Sequence, residues 1–174
     1  MTPWIGRLGA AWGTLGVLFL LVFANYRLAP RAVEAYEGGL TTGQWWITAA
    51  VCLFMAYAEG YRGFQLRFSP RTAARIRYLR DHPNGLHVLL APLFSMGFLH
   101  ANRRTKITAY ALTTGIVLLV TLVSRLAQPW RGIIDAGVVI GLSWGVVSLV
   151  WFVYLALTRS TFDHSPEVPP PSAD

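Results

Sequence analysis

Three histidines and one aspartate sit close together in the middle of the chain. Asp81 and His82 precede a Pro-Asn-Gly turn, His87 follows it, and His100 closes the apolar stretch beyond. Neutral imidazole ligates transition metals and haem iron, so His82, His87 and His100 are the candidate metal ligands. His82 and His87 can converge across the turn. His87 and His100 lie thirteen residues apart, about 19 Å along a straight helix, too far to share one ion. Two haems on one helix would need a second helix with paired histidines, which only another copy of the chain would supply. This reading implies a bound metal or a visible absorption band, and the bland alternative is interfacial histidines beside charged loops.

Acidic residues within apolar stretches are the second candidates. Glu59 has Arg62 at i+3, and Asp135 has Arg131 at i−4, so each has a cation on its own helical face. They would lie near opposite faces of a bilayer, at the two mouths of an ion or proton path. Only hydroxyls such as Thr48, Thr113, Thr114 and Ser143 lie between them, which argues against a pump or antiporter. Gly141-Leu142-Ser143-Trp144-Gly145 matches the G-x-S-x-G nucleophile pattern. That motif has meaning at a strand-to-helix turn, and here it falls inside a continuous apolar helix. There is no phosphate-cradling G-x-x-x-x-G-K-[ST] and no H-E-x-x-H. No catalytic residue is assigned, the enzyme question leans to no, and the cofactor is left unassigned.

The elements that must carry these residues are membrane helices. The chain has 174 residues, 54% hydrophobic and only 13% charged, about half the charged share of a soluble domain. One cysteine excludes a disulfide framework. The expected fold is an all-α polytopic membrane protein with four transmembrane helices plus one short re-entrant or fifth membrane helix. The spans are about 8–26, 44–61, 107–124 and 132–157, each close to the ~20 residues that cross a bilayer. The short membrane segment, 86–100, carries Pro92 at its middle. Residues 1–160 form a single helical membrane domain, and 161–174 read as a disordered Pro-rich tail.

Charge sets the orientation. The net charge is +7, and 14 of the 15 cations are arginine, a bias of the kind GC-rich bacterial genomes produce. The cytoplasmic loop 62–85 holds Arg62, Arg67, Arg71, Arg75, Arg77 and Arg80. If 86–100 dips in and returns, Arg103, Arg104 and Lys106 join them, and only Arg27, Arg31, Arg125 and Arg131 lie outside. The expected location is therefore a bacterial inner membrane, multi-pass, with a cytoplasmic N-terminus. Trp45, Trp46 and Trp130 would form an outer aromatic belt, and Trp4, Tyr61 and Tyr110 an inner one.

Within the basic loop, Ser69 as N-cap and Pro70 as first helical residue predict a helix that ends at His82-Pro83-Asn84-Gly85. Ala73, Ile76 and Leu79 mark one face and Arg71, Arg75 and Arg77 the other. This reads as a basic amphipathic helix on the inner leaflet, where each cation contributes about 1 kcal/mol. Gly137, Gly141 and Gly145 repeat every four residues and strip one helix face of bulk for close packing, within the chain or in a homo-oligomer. The leading expectation is an accessory or interaction protein that offers a basic cytoplasmic surface to anionic lipid headgroups or a protein partner. The alternatives are a metal- or haem-binding redox protein and a small oligomeric transport or channel subunit. Nucleic acid is excluded as a partner, because the basic run lacks a recognition module and adjoins a membrane.

Overall fold

A computed structural model describes residues 3–169. Among the described residues the chain is helical throughout its regular structure, with no strand. Three helices are long and apolar enough to cross a membrane: α1 (Pro3–Glu37), α6 (Arg103–Val123) and α7 (Trp130–Thr158). The expected second span falls in a different kind of element. α2 (Thr42–Met55) opens with a capping box, Thr41 accepting from the Gln44 amide while the Gln44 side chain accepts from Thr41 N. It then widens into a π-helix, Ala56–Phe68, which runs straight on into α3 (Ser69–Asp81).

Two differences from the expected boundaries have physical causes. α1 does not stop near Tyr26 but continues through Pro30 to Glu37, ending at Gly38 and Gly39, the latter with φ +81. A mid-helix proline costs about 3 kcal/mol when nothing opposes it. Here the last turns of α1 are held by the start of α7: Gln128 donates to the Arg31 carbonyl (3.2 Å) and accepts from the Gly132 amide (3.1 Å). Likewise Ser69 is not an N-cap, because the helix already runs through it. The segment 85–100 forms two short helices, α4 (Gly85–Leu89) and α5 (Ala91–Ser95), broken at Leu90, and then turns at Gly97 and His100, both with positive φ.

The core joins α1, α3 and α7 through Ala10, Val17, Ala73, Ile76, Leu149, Val153 and Ala156. α3 is therefore central rather than laid on a surface, and Ser69 on it shares a buried hydrogen bond with Ser148 of α7 (2.6 Å). Glycines set the close approaches. On α7, a Cβ at Gly137 would meet Val51 and Met55, one at Gly141 would meet the Glu59 carboxylate, and one at Gly145 the Phe64 ring. On α1, Gly13 faces Ala91 and Ser95, and Gly16 faces Pro92. Helix α6 stands apart: of its residues only Thr105, Ala109 and Val123 are buried.

The helix ends form two groups. Gly6 of α1 lies against the Arg80 carbonyl, and Arg80 reaches the carbonyl of Leu157 near the end of α7 (3.0 Å). At the opposite end Tyr36 stacks on Trp45 (5.5 Å), and Gly132 meets Arg31. Replacing Gly145 by Leu should lower the unfolding free energy by about 2 kcal/mol, as overpacking typically does. Gly115→Leu, on the open face of α6 where an added side chain meets nothing, should leave the thermal midpoint unchanged.

Candidate functional site

The broken segment changes the histidine geometry expected from the sequence. With the chain folded back at Gly97 and His100, the His87 and His100 rings lie 4.9 Å apart instead of at the two ends of a straight helix. Both belong to an aromatic stack centred on the fully buried Phe94. His87 packs on Phe94 at 4.9 Å, Tyr78 on Phe94 at 6.3 Å, and His82 on the far side of Tyr78 at 4.7 Å. His82 thus joins through ring faces and is held apart from the other two imidazoles by Tyr78 and Phe94. Among the described residues no group of three or more His, Cys, Asp or Glu side chains gathers as a metal-ligand set. Asp81 is engaged elsewhere, by Arg80 at 2.7 Å and Arg77 at 3.7 Å.

The arginines of α3 divide sharply in their roles. Arg75, a surface cation by sequence pattern, has no exposed area at all. Its Nε donates to the Phe94 carbonyl (2.6 Å), Nη1 to that of Pro166 (2.7 Å), and Nη2 to those of Leu99 and His100. Its guanidinium carbon sits 4.3 Å over the Phe94 ring. Burial, and then the neighbouring Arg71, push its pKa down to about 10, so the group is still charged at neutral pH. Arg77 donates to the carbonyls of Ala156 (3.2 Å), Arg159 (3.0 Å) and Ser160, capping the end of α7. Arg80 donates to the Leu157 carbonyl, so Arg75, Arg77 and Arg80, three of the six loop arginines, are committed to protein carbonyls.

The other cations face outward. Arg62, Arg67, Arg103, Arg104 and Lys106 are exposed. Arg67, Arg71 and Arg104 converge on an open cavity of about 690 Å³ between the end of the π-helix, the start of α6 and the tail. Arg71 is the deepest of them, and its Nε is buried without a hydrogen-bond partner. The tail enters this cavity. Glu167 accepts from the Thr105 hydroxyl, its carbonyl accepts from the Asn102 amide (2.9 Å), and its carboxylate stands 3.9 Å from Arg71 Nη1. Residues 161–169 have no regular structure yet lie against the protein through these contacts; 170–174 fall outside the described residues.

The acidic candidates do not line this cavity. Asp135 is buried and lies 3.7 Å from Arg131, the partner at i−4. Glu59 does not pair with Arg62. In a π-helix the backbone bonds run from i to i+5, so positions four to five apart share a face, and Arg62 at i+3 is turned outward. Glu59 instead points at Gly141, and its Oε2 is buried without a hydrogen bond. Ser143 donates to the Asn25 side chain (3.4 Å), an amide rather than a base that would activate it.

Sequence reasoning missed Arg75 as a structural group and Glu167 as part of the cavity. A signal for the first existed: Arg75 interrupts the small, apolar run Thr72-Ala73-Ala74-Arg75-Ile76. None existed for the second, because Glu167 is brought in by contacts distant in sequence. Comparison of the chain with protein-family models, curated proteins and solved structures finds no match.

Arg75→Met should cost about 3 kcal/mol or more, because it leaves the carbonyls of Leu99, His100 and Pro166 without their donor. Arg103→Met, at an exposed position, should stay within about 0.5 kcal/mol of the parent in a detergent melt.

Proposed function

We propose that this is a bacterial inner-membrane protein without catalytic machinery, whose basic cytoplasmic end engages anionic phospholipid. The observation that carries the reading is the division among the cations. Arg75, Arg77 and Arg80 are used up inside the fold, whereas Arg67, Arg71 and Arg104 line an open cavity, and Arg62, Arg103 and Lys106 are exposed. A basic cluster beside an anionic leaflet gains about 1 kcal/mol per cation.

The same grouping of helix ends supports a four-span topology with both termini inside. The start of α1, the end of α3 and the end of α7 share one end of the bundle. The start of α6 meets the tail that follows α7. The segment 86–100 thus leaves and returns at the same end, packed against the first turns of α1, and the run from α2 through the π-helix supplies the fourth crossing. Anionic headgroups would then face the cation-rich end, in agreement with the positive-inside rule.

Lipid extracted from the purified chain should be enriched in anionic species over the membrane it came from. Neutralising Arg62, Arg67, Arg71, Arg103, Arg104 and Lys106 together should abolish that enrichment. Co-purified lipid that matches the bulk composition in the parent protein would refute the reading. A cysteine at Arg104 should resist an impermeant thiol reagent in intact cells and react once the membrane is opened; labelling from outside would overturn the four-span topology.

A further inference from the structure

We propose that the cavity of Arg67, Arg71 and Arg104 is a site for the phosphate of a single anionic glycerophospholipid, and that the Glu167 carboxylate is an internal stand-in which the lipid displaces. The proposal rests on the reading of a lipid-facing basic end and narrows it to one site.

The cavity is built for an anion. Three guanidinium groups border it, from the π-helix, α3 and α6, and arginine forks match phosphate oxygens bidentately. Among the described residues Arg71 Nε has no hydrogen-bond partner. Arg71 therefore keeps donor capacity that the fold does not use. The Thr105 hydroxyl, the second donor at depth, already binds a carboxylate oxygen. An anion is therefore what this pocket takes, and the chain itself supplies one.

Glu167 fits the site poorly. Its carboxylate stands 3.9 Å from Arg71 Nη1, beyond hydrogen-bond reach, so the closest cation is not satisfied by it. The Glu167 backbone has φ +51, the left-handed region that a residue with a Cβ adopts only at a cost. The cavity, at about 690 Å³, is also far larger than one carboxylate. A tetrahedral phosphate reaches several donors at once and would let the tail relax when it leaves.

The surroundings favour a lipid as the source of that phosphate. Leu66 lines the cavity beside the arginines, and α6 continues from it with Ile107, Leu112 and Ile116 exposed. Because α6 packs so little against the other helices, acyl chains can lie along apolar surface while the headgroup sits among the arginines.

The test is native mass spectrometry of the full chain in mild detergent, titrated with phosphatidylglycerol, with phosphatidylcholine as the zwitterionic comparison. The expected result is one phosphatidylglycerol held about tenfold more tightly than phosphatidylcholine. Arg71→Gln and Arg104→Gln should each abolish that preference, and Arg62→Gln should leave it intact. Glu167→Gln should tighten binding severalfold, a gain that misfolding cannot produce. Unchanged or weaker binding in Glu167→Gln would overturn the stand-in. Displacement of the lipid by inorganic phosphate at equal concentration would overturn the lipid site in favour of a soluble anion. A preference insensitive to Arg71 and Arg104, yet lost when Arg62, Arg103 and Lys106 are neutralised, would sink this site and leave the general reading standing. No preference in any variant would sink both.

Discussion

A charged guanidinium cannot be buried without acceptors arranged around it, and Arg75 is buried completely. Among the described residues no carboxylate hydrogen-bonds to it. Its charge is met by backbone carbonyls from the end of α5, the turn at Leu99 and His100, and the tail at Pro166, with the Phe94 ring beneath. Three segments distant in sequence are thereby closed around one side chain of α3. The position of the tail, the start of α6 and the shape of the cavity beside Arg71 all follow from that closure. The break and turns of 85–100 leave the carbonyls of Leu99 and His100 to Arg75, while that of Phe94 is shared with the Gly97 amide.

The helical membrane class was legible from composition and from apolar runs, because both depend on local sequence alone. The glycine repeat of α7 was equally readable as a close-packing face; only the structure identifies what it meets, the Glu59 carboxylate and the Phe64 ring among them. Less legible was everything that tertiary contact decides. Pro30 marks a helix end by local rules, yet α1 continues because Gln128 and Gly132 hold its last turns. The π-helix rotates Arg62 away from Glu59, which an α-helical register would pair. Arg75 carries the same charge as Arg67 and Arg104, and only the small, apolar run around it marks it as the one that turns inward.

The basic segment therefore has two jobs that a count of charges merges. Part of it is internal scaffolding: Arg75, Arg77 and Arg80 bind carbonyls at the ends of α5 and α7, where partial negative charge accumulates. The remainder, with Arg104 from α6, is exposed or lines the open cavity. The scaffolding arginines position the outward ones, since the clasp on the tail and on the turn before α6 defines the cavity wall. The histidines belong to the same end, with His87 stacked on Phe94 and the His87 and His100 rings 4.9 Å apart.

The claim on which the rest depends is that the tail closes against the first turn of α6. In a Cys52→Ser background, Thr105→Cys and Glu167→Cys together test it by oxidative cross-linking of the purified, delipidated protein in detergent. The clasp predicts an intramolecular disulfide that forms readily in the otherwise intact protein and is lost when Arg75→Met is added. Two thiols that fail to cross-link and react freely with a soluble reagent would contradict it.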